Sequence, residues 1–493
     1  MKPTAEQLAV CGARGNRIKV VAFAGAAKTT TQELYARAHP KERILYVAFS
    51  KAVQREGEAR FPRNTTCRTT HSLAFVLALK YFGKDGVSRK VGDTWPSVVA
   101  QEFGVSVVLA YVALRTLQAW FATTDRGITE EHVPEELRQR VPDWVYAVEL
   151  AQRVWRAMAD PGNPRIRMPH DGYLRAWATS AAKLDRYDTV LLDEAQDTSP
   201  VVLDFLLRQK VKLLAVGDPH QSIFGFRGAI DAMRQFESDQ TLYLTQSFRF
   251  GPGVAEIANM LLGRLKGERK LIHGVAEPGE TLFRVDVGRP YAVITRTNVT
   301  VFDEAVSRLK DKRRFHFVGG PQSLRFDKIL DAFLLWSGRR VEVRDAYLRT
   351  FSSFEELKEL AEQTEDAELR MLVKVVDKYR DGIPELIEEI EAKHQDASEF
   401  GSAGLRGFEG IVFCTAHKSK GLEFEQVILT DDYAGLFDPE DKGRPLGPGE
   451  IAAEDVNLLY VAITRARRAL QMNADLTRWV GMVRAERRAL EPA

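Results

Sequence analysis

Lys28 follows a run of small residues, Ala22-Phe23-Ala24-Gly25-Ala26-Ala27, and precedes Thr29-Thr30 at the head of the helix-like stretch TTQELYARA. Small residues between a strand and a helix N-terminus let backbone N–H groups face an anion. A lysine there supplies charge to β- and γ-phosphates, and a threonine hydroxyl can hold Mg²⁺. Gly25, Ala26, Ala27, Lys28, Thr29 and Thr30 are therefore candidates for cradling a nucleoside triphosphate, with Thr29 on its metal ion. The spacing departs from GxxxxGK[ST], because Ala22 and Ala27 stand where the glycines would be. If the backbone at 27 needs positive φ, alanine costs roughly 1–2 kcal/mol there. Alone, the loop also reads as an ordinary strand-to-helix turn.

A second element narrows the choice. Thr189-Val190-Leu191-Leu192-Asp193-Glu194 puts two adjacent carboxylates just past an apolar run. Asp193 can enter a Mg²⁺ shell and Glu194 can polarise an attacking water. A third, Val216-Gly217-Asp218-Pro219-His220-Gln221-Ser222-Ile223-Phe224-Gly225-Phe226-Arg227, again follows an apolar run. Gln221 is neutral and can sense a γ-phosphate by hydrogen bond without changing the charge of the site. Phe224, Phe226 and Arg227 mix rings with a cation, as a platform for stacking bases does. On composition alone the phenylalanines fit loop packing as well.

The elements that must position these residues are short apolar runs ending in Gly, Asp, Ser or Thr: Val20 to Phe23, Ile44 to Phe49, Val190 to Leu192, Leu213 to Val216, Ala292 to Ile294, Ile411 to Phe413 and Val427 to Leu429. Runs without alternation predict strands buried on both faces, as in parallel sheets flanked by helices. Four lie before residue 220 and three after 290, which predicts two α/β sheets. Two helix-like stretches interrupt them. One, about Ser72 to Met168, carries Trp95, Trp120, Trp144 and Trp155, read as core; the other, about Asp327 to Ala403, is strongly charged and reads as solvated helix faces.

Length and composition set the bounds. A chain of 493 residues holds three or four compact units at about 150 residues each. Apolar residues at 45% and charged residues at 28% exclude a collagen-like, fibrous or wholly disordered chain. Lys and Arg number 70 against 68 for Asp and Glu, so a polyanion must be gripped by a local patch rather than by global charge. Cys11, Cys67 and Cys414 are far apart and make neither a disulfide framework nor a zinc site, which suits a reducing compartment. MKPTAEQLAV is too polar for a secretion signal, and Val107 to Leu114 is too short to span a membrane. The expectation is a cytoplasmic protein, or a nuclear one if the source has a nucleus, with no membrane partner.

With these elements in order, the chain resembles a superfamily 1 DNA helicase of the UvrD/Rep type, and within it the F-box DNA helicase branch, whose loop also reads AFAG. Gln7 in TAEQ matches the glutamine that reads adenine. YVAFSKAV and CRTTHSLAF match two motifs that contact single strands, which brings in Phe49, Thr70 and His71. LTQSFRF matches the segment whose ring stacks on adenine and whose arginine reaches the γ-phosphate, Phe248 and Arg249. CTAHKSKGLEFEQVIL carries His417 and Glu423, and NLLYVAITRAR carries an arginine finger at Arg465. Phe226 stands where many relatives have Trp.

The resemblance implies two RecA-like parallel-sheet domains, 1A over 1–72 and 169–245 and 2A over 246–326 and 404–493. Helical insertions 1B over 73–168 and 2B over 327–403 complete the set. It implies ATP and Mg²⁺ in a cleft walled by Lys28, Thr29, Asp193, Glu194 and Gln221 on one side and Arg249, Glu423 and Arg465 on the other. It further implies 3′→5′ movement along single-stranded DNA, action at single-strand/duplex junctions in a setting such as DNA repair, protein loading or repair partners, and a monomer. The removal of Arg465 is expected to spare folding. Two alternatives stay open: a translocase that strips proteins from single strands without unwinding, and an ATP-binding scaffold impaired by Ala27. A small-molecule kinase with a phosphate loop would have no use for the second sheet.

Overall fold

The computed structural model describes residues 2–225, 233, 236–277, 281–345, 347–364, 366–396, 405, 407–441 and 443–490. They form two compact units, one of residues 1–22, 28–244 and 343–370, the other of 23–27, 245–342 and 371–493.

The first unit is built on six strands: β1 (Arg17–Ala22), β2 (Ile44–Ala48), β3 (Thr65–Thr69), β4 (Thr189–Leu192), β5 (Lys212–Gly217) and β6 (Gln240–Leu244). They are all parallel, in the order β3-β2-β4-β5-β1-β6. Every residue of β2 and β4 is buried, as their unbroken apolar sequences require of strands covered on both faces. The chain leaves β1 towards β2 on one side and β5 towards β6 on the other. The carboxyl ends of β1, β4 and β5 therefore border the crevice where open α/β sheets take ligands.

The helices between β3 and β4 pack on this sheet as one continuous core. Val107–Ala122 and Trp144–Ala159 lie together, with Val112, Leu117, Leu150 and Val154 fully or almost fully buried. Of the four tryptophans read as core, Trp120 is buried and Trp144 and Trp155 are half-buried against the same core. Trp95 differs: it is 39% exposed and stacks on Tyr347 with ring centroids 6.2 Å apart. Tyr347 belongs to residues 343–370, which also anchor through a 3.0 Å bond from the Tyr111 hydroxyl to Asp366. The charged second helical stretch is thus divided by its packing, with 343–370 built into the first unit.

The second unit has five parallel strands: β7 (Tyr291–Thr295), β8 (Phe315–Phe317), β9 (Ile411–Thr415), β10 (Phe424–Leu429) and β11 (Ala466–Gln471), in the order β8-β9-β7-β10-β11. The helices Pro252–Lys266 and Ala453–Ile463 pack together, and all of Val456 to Ile463 is buried. Among the described residues no single helix is long and apolar enough to cross a membrane.

Candidate nucleotide and nucleic-acid site

β1 ends at Ala22 and the helix Lys28–Ala38 begins after five intervening residues. The loop between them turns on two left-handed residues, Gly25 at φ 76° and Ala27 at φ 55°. A Cβ on Gly25 would lie 2.3 Å from Ser247 Oγ and 2.8 Å from Arg249 Cβ, so only glycine fits there. Within the second unit Ala24 N–H donates to the Tyr460 hydroxyl at 3.1 Å and Phe248 N–H donates to Gly25 O at 2.9 Å. Ala27 carries the positive φ that the sequence made conditional, at a cost of roughly 1–2 kcal/mol. Ala27→Gly should relieve that strain against a smaller loss from a more flexible unfolded chain. The expected result is a melting temperature no lower than the parent's with equal or faster turnover; a large loss of turnover would show the loop has adapted to alanine.

At these same carboxyl ends of β1, β4 and β5 the charged groups converge. Lys28 Nζ donates to Glu194 Oε2 at 2.6 Å, with the two side chains 13% and 22% exposed. Glu194, like Ala27, is left-handed, at φ 47°. Asp193 is buried and accepts three bonds: from the Tyr46 hydroxyl at 2.6 Å, Gln32 Nε2 at 2.9 Å and Glu194 N–H at 3.0 Å. Burial above all, then the charge of Glu194, pushes the Asp193 carboxyl up from its ordinary range. Burial by itself would lower the Lys28 ammonium, but Glu194, Asp218 and Asp193 outweigh it and hold it above its usual value. Burial, then Asp193, raises the Tyr46 hydroxyl, so it stays protonated and donating.

Three carboxylates around one ammonium leave an excess of negative charge in a buried place. That donor set fits a divalent cation accompanied by phosphate. Thr29 and Asp193 are also both neighbours of the Tyr46 hydroxyl, which donates to Asp193 at 2.6 Å. Among the described residues no group of three or more His, Cys, Asp or Glu could hold a metal alone. Mg²⁺ takes one or two protein oxygens and completes its shell with phosphate and water, and Thr29 and Asp193 offer that number.

The sequence reading missed three residues of this cluster. Gln32, one turn after Lys28, and Tyr46, inside an apolar strand, both bind Asp193. Gln196 donates to Glu194 at 2.6 Å while its carbonyl accepts Asp218 N–H at 3.0 Å. A Cβ at Gly217 would sit 2.4 Å from that carbonyl, which accounts for the glycine. Gln221, 4% exposed, donates to Asp218 at 2.6 Å, joining the same network. No spacing marks them: Tyr46 sits within a wholly buried strand, and Gln32 and Gln196 sit on helical turns.

The remaining phosphate-loop candidates sit at the margins. Thr30 accepts from Arg60 at 3.0 Å. Gln7 is buried, closes the cap of its own helix with Thr4 and donates to Thr31 at 3.2 Å. Ala26 N–H donates to Phe23 O at 3.1 Å within the loop.

A cavity of about 440 Å³ in the first unit brings Phe49, Thr70, His71 and Phe224 together with Asp193 and Glu194. Phe49 is 45% exposed and lies face to face with Phe224, centroids 5.6 Å apart and 19° between planes. His71 Nε2 is 3.2 Å from Asp171. Phe226 and Arg227 lie outside the described residues.

In the second unit Arg249 bonds Glu423 at 3.4 Å and Thr464 O at 3.2 Å. Arg465 follows the helix Ala453–Ile463 and is 1% exposed. Its guanidinium donates to Val461 O at 2.9 Å, Leu422 O at 3.1 Å and the Thr464 hydroxyl at 3.4 Å. A cation at a helix C-terminus meets orphan carbonyls and the negative end of the dipole. Folding therefore uses Arg465, contrary to the expectation that its removal would spare the fold. Phe248 is half-buried beside Arg249, and His417 lies on the short helix Ala416–Ser419 after β9.

Comparison with known proteins bears on the whole arrangement. Residues 167–241 match the UvrD/REP helicase N-terminal domain and residues 296–476 the UvrD-like helicase C-terminal domain. F-box DNA helicase 1 of Gallus gallus is 34% identical over 94% of this chain and 48% of its own length. F-box DNA helicase protein 1 of Schizosaccharomyces pombe is 30% identical over 94% of this chain and 56% of its own. The ATP-dependent DNA helicase UvrD2 of Mycobacterium tuberculosis is 27% identical over 60% of this chain and 49% of its own. The chain spans about half the length of these relatives. With both halves of the helicase family matched in order and each sheet parallel in the RecA manner, this chain belongs to the UvrD/Rep-type superfamily 1 helicases and resembles their F-box DNA helicase branch.

Proposed function

We propose that this chain is an ATP-driven DNA helicase motor that moves along single-stranded DNA, with 3′→5′ polarity. The observation that carries the reading is the first-unit cavity, in which Phe49, Thr70, His71 and Phe224 share walls with Asp193 and Glu194. A base-stacking group and a hydrolytic carboxylate in one cavity can feel each other's state. Stacked bases are worth roughly 1–3 kcal/mol each and tolerate any sequence, which suits a translocating grip.

Lys28 and the backbone of Gly25 to Thr29 would bind the phosphates, and Thr29 and Asp193 would hold Mg²⁺, which supplies charge neutralisation at the β- and γ-oxygens. Phosphate competes with Glu194 for the Lys28 ammonium. Once released, Glu194 can take the proton of an attacking water, with Gln196 orienting it. Gln221, bonded to Asp218, would report on the γ-position. Gln7 and Phe248 would contact adenine, and Arg249, Glu423 and Arg465 would act on the phosphates. Phe226, Arg227 and His417 extend the DNA track on this reading. The partners are single-stranded DNA and single-strand/duplex junctions, with loading or repair proteins besides. The protein acts as a monomer in the cytoplasm, or in a nucleus where there is one.

The test is Mg²⁺-dependent ATPase with and without single-stranded DNA. Stimulation by DNA, lost together with all turnover in Lys28→Ala, is expected; equal rates without DNA, or a Lys28→Ala variant that keeps its rate, would sink the coupling. Duplexes with a single 3′ or 5′ tail read polarity. Movement without strand separation would instead support the protein-stripping translocase.

A further inference from the structure

A groove of about 690 Å³ in the first unit runs along the helix Thr70–Phe82, on a different face from His71. Ser72, Val76 and Lys80 recur every fourth residue on the groove side, whereas His71 and Phe75 turn towards Tyr173. Four cations line it, Arg68, Lys80, Lys183 and Arg186, and no carboxylate does. All four are exposed and none forms an ion pair among the described residues, although Arg43, Arg60 and Arg208 of the same unit each hold a carboxylate. The floor is aliphatic: Leu73, Leu77 and Val76, the last 67% exposed. Trp177 also lines it but is buried against Phe205, so it offers no free face for a base.

We infer that this groove docks an acidic amphipathic helix of a partner protein, its carboxylates meeting the four cations and its apolar stripe filling the aliphatic floor. Nucleic acid would match the charge but would leave the exposed Val76 and its neighbours without a counterpart and would find no ring to stack on. A helix with apolar anchors at i, i+4 and i+7 and acidic flanks satisfies both. The phosphate site and the base-contacting cavity are elsewhere, so the surface can be occupied while the motor runs.

The test is fluorescence anisotropy on the full chain with a labelled synthetic peptide of roughly four turns, leucines at i, i+4 and i+7 and glutamates on the other faces. Saturable binding that weakens with salt is expected, along with weakening by about tenfold or more in Lys80→Glu/Lys183→Glu. Arg186→Glu provides an independent second variant. Peptides with Lys in place of Glu, or Ala in place of Leu, should not bind, and DNA-stimulated ATPase should be unchanged in the variants. Binding indifferent to charge reversal overturns the inference. So does absent peptide binding together with a labelled duplex that the parent binds and the variants lose, which would make the groove a nucleic-acid surface.

Discussion

Arg465→Ala is expected to fail twice, in stability and in turnover. Its guanidinium is buried and donates to two backbone carbonyls and the Thr464 hydroxyl. A buried acceptor left without a donor costs about 1–3 kcal/mol, so about 3 kcal/mol or more is lost in all. An arginine that stabilises a transferring phosphoryl group is worth about 10³–10⁵ in turnover. The two losses separate when the variant is measured below its lowered melting temperature. A folded sample with near-normal kcat would make Arg465 a helix cap only. Arg249→Ala is the companion: it is only partly buried and bonds Glu423 and Thr464 O, so it should lose turnover with a much smaller fall in melting temperature.

Asp193→Asn is expected to do the opposite to stability while abolishing activity. The carboxyl is raised by burial and by Glu194, so its charged form is disfavoured in the folded protein. With the folded value above the unfolded one, the native state binds more protons between them, and the site's contribution to stability falls as pH rises through that window. Asparagine removes the charge and keeps an acceptor for Tyr46. Gln32 Oε1, buried without a partner, can turn to accept from the new amide. A gain of roughly 1 kcal/mol is expected, within the usual range of single stabilising changes. Circular dichroism melts at neutral pH and again near pH 4 check it: the advantage should be present at pH 7 and shrink at the lower pH, while ATPase is lost at both. An advantage that does not depend on pH would show that charge is not its cause.

The seven strands legible in the sequence are the interior strands of the two sheets, β2, β4, β5 and β1 in one and β9, β7 and β10 in the other. The four strands of these sheets that were missed, β3, β6, β8 and β11, are the edges, and the short parallel pair Gln246–Ser247 and His273–Gly274 stands apart from both sheets. The reason is physical. Each interior strand carries a mostly buried apolar run of three or more residues, whereas TTCRT and QTLYL carry polar residues on a half-open flank. β8 is three residues long, and ARRALQ hides its strand among arginines.

The site divides in the same way. Lys28, Asp193, Glu194 and Gln221 stand out because they follow apolar runs, and the structure brings them together. Tyr46, Gln32 and Gln196 do not stand out, because their polarity is spent inward on Asp193 and Glu194 and leaves no spacing to read. The direct bond between Lys28 and Glu194 is likewise a matter of distance, since the residues are far apart in the chain. The packing of 343–370 into the first unit through Tyr347 and Asp366 depends on tertiary contacts that periodicity does not encode.

The bond between Lys28 and Glu194 makes the resting site self-quenched. On the reading proposed above, while each charge neutralises the other there is no bare ammonium to attract stray anions and no free base to activate water, so idling hydrolysis should be suppressed. On the reading proposed above, the same contact acts as a reset. A diphosphate product still occupies the lysine, and only its departure lets the pair close again, which gives each cycle a defined end and links the next firing to an emptied site. Glu194→Gln, which weakens the latch as well as removing the base, should therefore hold nucleotide more tightly than the parent even as it ceases to turn over.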